Sequence, residues 1–354
     1  MPINASIAVL ATDSTLAKAV IQQISEYPGF STLNHIVNNG ADPAITFGAS
    51  ITLTAIAAEP EVFDPPQLGS YLGWGADIAL LVIDSSQGLD GESIQRAQEV
   101  AQFHPLMVAV IGLDSPRANF DETLAVISRV MDQQHHAVAV TLPVLSESKS
   151  IDESEVGGIL DLVSMEIRVP GADGEPETHE LEQAHFDLIE SHVEALTNAV
   201  VVTSTNEELI HTVLEHGFES ADQLRKELLS ATVRREIIPV FAVANSIGIS
   251  ELANFACELD HEPWTPIHVP QAELLASVVG QRTLRVWQGE LVTGTYFADN
   301  TEINITQVNS LSGKIRSAAY AGEIVKITAN QEITAGSSIS SVKSNPLAIN
   351  HVFE

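Results

Sequence analysis

The stretch Ala76-Asp77-Ile78-Ala79-Leu80-Leu81-Val82-Ile83, closed by Asp84, decides the fold class. Its apolar run from Ile78 to Ile83 leaves no face for water. It is short for a helix, and it has the profile of a parallel strand buried on both sides. Working outward, residues 90–103 form an amphipathic helical pattern. Leu106-Met107-Val108-Ala109-Val110-Ile111 is a second apolar run, followed by Gly112-Leu113-Asp114. A helix is predicted over about 119–133 and a strand over Ala137–Leu142. Upstream, Ser6–Ala11 is a strand-length apolar run. Polar Thr12-Asp13-Ser14-Thr15 follows it, then Leu16, Ala19, Val20 and Ile24 at helical spacing. Ile237–Ala242 repeats the buried-strand profile before a helix over about 250–259. Strands alternating with helices of this length imply βαβ units and a mostly parallel sheet.

The pattern changes near residue 150. Residues 150–185 are acidic and contain Gly157-Gly158, Pro170-Gly171 and Gly174 near Pro176, which predicts a short β-rich insertion. One helical stretch is expected from about Glu180 to Leu229. Pro263 ends the last helix. After about residue 270 the chain reads as all-β: Leu284–Thr293, Thr301–Val308 and Glu323–Thr328 alternate apolar and polar residues between turn signals. Short strands at this spacing suggest a small barrel. The expected organisation is an α/β domain over 1–262 with an α+β insertion at about 150–235, then an all-β barrel over 263–354.

The 354 residues suit two domains at roughly 100–200 residues each. Hydrophobic residues are 45% of the chain, enough for a sizeable core. The single Cys257 excludes a disulfide scaffold and a cysteine zinc ribbon. No apolar run approaches ~18 residues, and the opening Met1-Pro2-Ile3-Asn4-Ala5-Ser6 lacks a basic segment, so a soluble cytoplasmic protein without a membrane partner is expected. With 47 acidic against 16 basic residues, the net charge is −31. That disfavours direct binding of nucleic acid, whose phosphates call for Lys and Arg. The densest basic group, Arg225, Lys226, Arg234 and Arg235, is interleaved with Glu227 and Glu236 and reads as a solvated helix face. Trp264 and Trp287 are expected to pack in or beside the barrel.

Several strings together resemble the translational GTPases, in particular elongation factor G and its bacterial paralogues. Gly75–Gly88 looks like the family strand after switch II. Asp114-Ser115-Pro116-Arg117-Ala118-Asn119-Phe120 is similar to the segment after the guanine-specificity motif. Leu142-Pro143-Val144, Gly157–Leu162 and Val233–Val240 continue in register, and Arg285–Gly294 with Ala321–Val325 resemble the family's second domain. The resemblance implies a P-loop-NTPase-like sheet with the insertion of elongation factor G, then the β-barrel. The family's three C-terminal domains have no counterpart in these residues.

A P-loop GTPase needs backbone N–H groups and a Lys around the β- and γ-phosphates. It also needs Ser/Thr oxygens for Mg²⁺, a γ-phosphate-sensing Gly, and Asn-Lys-x-Asp for guanine. Here the first strand leads into Ala11-Thr12-Asp13-Ser14-Thr15, with neither Gly nor Lys, and Asp13 sets a negative charge where a triphosphate would lie. No Gly-Lys-[Ser/Thr] occurs anywhere; Gly313-Lys314 is followed by Ile315. The other motifs are eroded too. By resemblance, Thr46 of Pro43-Ala44-Ile45-Thr46 matches the Mg²⁺-linked switch I threonine. Asp64-Pro65-Pro66-Gln67-Leu68 matches switch II, with its Gly replaced by Gln67 and its His by Leu68. Ile111–Asp114 matches the guanine motif with only Asp114 kept, and Val243-Ala244 matches the final Ser-Ala.

Thr46, Asp64 and Asp114 are therefore the vestigial nucleotide-site candidates. Each also has a plain structural reading: a strand-edge threonine, a turn residue beside prolines, and an Asx cap. His135-His136 supplies adjacent imidazoles without an evident third metal ligand. The expectation is a pseudo-GTPase with no catalytic residue, no cofactor and no metal. It acts as an interaction module for a basic ribosomal protein or a translation factor, connected with translation. Two alternatives stay open: a divergent but active translational GTPase using GTP and Mg²⁺, or the N-terminal two-domain piece of a longer factor. Residues 30–70 are expected to be either locked by apolar packing involving Ile45, Phe47, Ile51, Leu53 and Ile56 or mobile, and the alternation of Ile51, Leu53 and Ala55, which suggests a strand, favours the locked state.

Overall fold

A computed structural model describes residues 3–11, 16, 19–20, 30–33, 41–47, 51–57, 77–89, 91–101, 104–131, 135–145, 156–171, 176–181, 183–244, 248–259, 272–278, 281–286, 289–310, 313–320, 323–333 and 337–341. In chain order the first strands are β1 (Ile3–Ala11), β2 (Phe30–Leu33), β3 (Ala41–Phe47), β4 (Ile51–Ala57) and β5 (Ile78–Asp84). Next come α1 (Gly91–Ala101), β6 (Leu106–Ile111), α2 (Phe120–Val130), β7 (His136–Ala139), β8 (Thr141–Leu145), β9 (Val156–Asp161), β10 (Glu166–Pro170) and β11 (Pro176–Glu180). Three helices follow, α3 (Gln183–Thr203), α4 (Glu207–His216) and α5 (Ala221–Val233), then β12 (Ile237–Ala242) and α6 (Ile249–Glu258). The chain continues through β13 (Ala272–Val278), β14 (Gln281–Val286), β15 (Glu290–Val292), β16 (Gly294–Ala298) and β17 (Thr301–Asn309). It closes with β18 (Ile315–Arg316), β19 (Ala318–Tyr320), β20 (Ile324–Ala329) and β21 (Ser338–Ser340).

The chain divides into two compact units, one of residues 79–260 and one of residues 1–78 with 261–354. In the first, β5, β6, β12 and β7 run parallel in that spatial order. Ile78–Ile83 and Leu106–Val110 are buried throughout, as a doubly covered sheet requires. The fold is α/β, P-loop-NTPase-like, with an α+β insertion.

That insertion begins within the run predicted as one strand over Ala137–Leu142. The Val140 N–H donates to the Val240 carbonyl at 2.8 Å, while its own carbonyl accepts from Leu162 N–H at 2.9 Å. Val140 thus hands the chain from the parallel sheet to a second, antiparallel sheet in the order β11-β10-β9-β8. The single helical stretch expected from Glu180 to Leu229 is three helices. Asn206 accepts from Leu209 N–H and caps α4, and Ser220 accepts from Gln223 N–H and caps α5. Gly217 ends α4 at φ +78°.

In the other unit, β1 and β4 pair in parallel and β2-β3-β4 continue antiparallel. The strand predicted through Ile51, Leu53 and Ala55 is present as β4. The side-chain packing expected for residues 30–70 lies outside the described residues, as do Trp264 and Trp287. The all-β part is a sheet ordered β16-β21-β13-β14-β20-β17-β18, and a further β16–β17 pairing closes it into a barrel. Ile303, Ile305 and Val308 of β17 enter the barrel core with Leu284, Val286 and Val325. The three-residue step from Ile305 to Val308 follows from a bulge between Ile305 and Gln307 in the pairing with β20. The alternating run Leu284–Thr293 is broken into β14 and β15, with Gly289 at φ +70° between them.

Candidate functional site

In open α/β sheets the ligand crevice lies beyond the carboxyl ends of the parallel strands. Within residues 79–260 that edge is built from Asp84 at the end of β5, Gly112–Asp114 after β6, and Val243-Ala244 after β12. Asp84 is engaged on both carboxylate oxygens. Its Oδ1 accepts from the Ser86 N–H at 2.9 Å and the Ser86 hydroxyl at 2.6 Å, and its Oδ2 accepts from Gln87 Nε2 at 2.8 Å. The Asp84 carbonyl accepts from Gln87 N–H at 3.0 Å and Gly88 N–H at 2.9 Å, which closes the turn.

Gly112 faces this carboxylate. It holds φ +71°, and a Cβ there would collide with Asp84 Oδ1. Only glycine meets both conditions at no cost. Ser85 Oγ lies 3.0 Å from Thr123 Oγ1 and accepts from Asn119 N–H at 3.0 Å. Asn119 in turn caps α2 by accepting from Glu122 N–H. Val243 and Ala244 are buried, with Val243 N–H donating to the Val110 carbonyl at 2.9 Å.

Of the three predicted nucleotide-site residues, Asp114 is described in full. Its side chain is solvent-exposed, and its Oδ1 accepts from Val156 N–H at 3.0 Å, the first residue of β9. The expected local Asx cap is therefore a longer-range tie from the β6 edge to the insertion. Thr46 sits one residue from the end of β3, in register with Ser31 on β2 and Thr52 on β4. Its side chain is outside the described residues, and so are Asp64, Gln67, Leu68 and the turn Thr12–Thr15. Among the described residues no group of three or more His, Cys, Asp or Glu side chains is arranged to hold a metal ion, and no helix is long and apolar enough to cross a membrane.

Sequence reasoning missed two features of this unit. A cavity of about 520 Å³ opens beside the Asp114 loop, lined mainly by apolar side chains such as Leu113, Phe120, Leu142, Leu160 and Ile189. At its polar end His192 Nε2 lies 3.2 Å from Asp121 Oδ1. The second feature is a cluster of charged residue types where β9 and β10 meet α6: Asp161 and Glu251 are buried, and the partly exposed Arg168 pairs with Glu251. A lone Glu251 in the first turn of a predicted helix reads as solvent-facing, so the sequence carried no signal for its burial.

A parallel sheet with crossover helices, an α+β insertion and an all-β barrel define a P-loop-NTPase-like protein with an attached barrel. The chain is related to the translational GTPases. It is 29% identical over 212 residues to the elongation factor G-like protein of Mycobacterium tuberculosis, in strains CDC 1551 / Oshkosh and ATCC 25618 / H37Rv alike. The match takes in 56% of this chain and only 28% of the relatives' own length. No protein-family model matches the chain. A crystal structure of a protein from Thermus thermophilus shares the fold, with a TM-score of 0.74 at 16% identity over 97% of this chain and 55% of that one.

Proposed function

We propose that the chain is a translation-factor-like interaction module that neither binds nor hydrolyses GTP. Its G-domain-like portion spans residues 1–262 and its second domain residues 263–354. It works in the cytoplasm beside the translation machinery. The observation that carries this reading is the phosphate-loop position: Ala11–Thr15 holds neither Gly nor Lys and adds the negative charge of Asp13. A stretch of this composition supplies neither the glycines typical of an anion-binding nest nor a cation for a triphosphate. The tie from Asp114 to Val156 supports it, because the residue matching the guanine-reading aspartate serves the insertion instead. The net charge of −31 favours a basic protein partner, a ribosomal protein or a translation factor, by long-range attraction.

Isothermal calorimetry with GTP and GDP, with and without Mg²⁺, tests the reading. No heat of binding is expected at micromolar nucleotide; an affinity in that range overturns it. A phosphate-release assay with and without ribosomes checks the active-GTPase alternative, and turnover above the nucleotide-only background would establish that alternative.

A further inference from the structure

The cavity beside the Asp114 loop, about 520 Å³, falls within the size range of small-molecule sites. Its position follows from the path of the chain. Both α2 and α3 pack on β7, and Val140 then passes the chain out of the parallel sheet. The next strand, β8, belongs to the insertion's sheet, so a wedge opens between it and the two helices. Phe120 of α2, Leu142 of β8, Leu160 of β9 and Ile189 of α3 wall this wedge, and all four are buried. Leu145, at the end of β8, is 60% exposed and carries the apolar surface out to the mouth. Such walls suit an apolar guest too large to be a single solvent molecule.

The polar end of the cavity is acidic. Asp121 is the second residue of α2 and is exposed, and His192 Nε2 of α3 lies 3.2 Å from its Oδ1. The imidazole engages one carboxylate oxygen and leaves Oδ2 open to a guest's donor. Asn119, also in the wall, is spent capping α2. The first turn of a helix attracts negative charge, but Asp121 and Glu122 already supply it there. Beside wall residues in the chain, Asp114, Glu180 and Glu190 are exposed acids, with Arg117 the opposing base. An anionic guest would meet this negative rim, whereas a cationic donor gains a charge-assisted hydrogen bond to Asp121.

We infer that this cavity binds a small amphiphilic cation, its aromatic or branched aliphatic body seated between α2, β8 and α3 and its ammonium group held by the Asp121 carboxylate. The two parts of the guest have different tasks. Burial of the apolar body supplies most of the affinity. Water and salt screen the exposed Asp121, so its carboxylate adds a modest preference for positive charge over a neutral group of the same shape.

Calorimetry on the full chain with probes of one shape tests this: 2-naphthylmethylammonium, 2-naphthalenemethanol and 2-naphthoate, at low salt. The ammonium probe is expected to bind with a Kd below about 1 mM. It should bind about fivefold more tightly than the alcohol, with the carboxylate weakest. A net charge of −31 attracts cations to the whole surface, so two variants localise the effect. Asp121→Asn, at an exposed position, should bring the ammonium probe to within about twofold of the alcohol and leave the alcohol unchanged. Ala118→Trp fills the cavity and should weaken the ammonium probe and the alcohol by about tenfold or more. If that variant does not fold, Leu145→Trp at the exposed mouth takes its place. The inference is overturned if the ammonium probe fails to bind at about 1 mM, or if the carboxylate matches it. A preference that survives Asp121→Asn, or binding undiminished in the filled cavity, overturns it equally.

Discussion

Replacing Arg285 by Met tests what a buried charge does in the barrel-bearing unit. Arg285, on β14, is 1% exposed, and its Nη2 reaches Asp77 Oδ1 at 2.8 Å; Asp77 is 11% exposed. Both belong to the unit of residues 1–78 and 261–354. Methionine fills much of the arginine's volume, so the main loss is the charge partner of Asp77. Stranding one member of a buried pair costs about 3–5 kcal/mol, whereas exchanging both for apolar groups is often neutral or stabilising. The prediction is that Arg285→Met costs about 4 kcal/mol and Asp77→Asn/Arg285→Met recovers at least half of it. At an m-value of about 2 kcal/mol per M, the single variant lowers the urea midpoint by about 2 M. The midpoint is read by far-UV circular dichroism during urea unfolding of the full chain. A loss below about 1 kcal/mol for the single variant, or a double variant as unstable as the single one, refutes the reasoning.

Two further outcomes are expected. Gly112→Ala places a Cβ against Asp84 Oδ1 at a backbone φ of +71°. It should cost about 2 kcal/mol or more in the residue 79–260 unit, measured by far-UV circular dichroism during urea unfolding. Burial, and then Glu258, push the Cys257 thiol up to about 12 from an ordinary 9.0. At pH 8 the thiolate fraction falls about a thousandfold, so native Cys257 should react with a chromogenic disulfide roughly a thousand times more slowly than the urea-unfolded chain. Comparable native and unfolded rates would contradict that.

The parallel strands were legible because burial on both faces leaves a plain trace. The runs Leu106–Ile111 and Ile237–Ala242 are the observed strands residue for residue. The break at Val140 was not legible, because Val138, Val140 and Leu142 are apolar whichever sheet receives them. The helix boundaries at Asn206 and Ser220 were present as capping residues but hidden within a long polar-apolar pattern. At the site, Asp114 was picked out by its position after a buried strand. Its partner Val156 lies 42 residues on, and no local pattern encodes that bond. The Arg168–Glu251 ion pair is equally remote: an acid in a helix's first turn looks solvent-facing until β10 and α6 are brought together.

At the edge after β5 and β6 the described polar side chains are held by partners within the sheet and its neighbours. A crevice that awaits a ligand holds donors and acceptors the bound molecule will satisfy. Here Asp84 is satisfied by Ser86 and Gln87, Ser85 by Asn119 and Thr123, and Asp114 by Val156. Each bond joins the edge to its own turn, to α2 or to β9, so each stabilises the sheet without a guest molecule. Burial of β5, β6 and β12 depends on none of these polar groups. Substitutions at the edge can therefore accumulate while the core stays intact, provided each polar group that remains finds an internal partner. A chain that followed this route would retain the family's architecture and lose its nucleotide chemistry, which is the combination proposed for this protein.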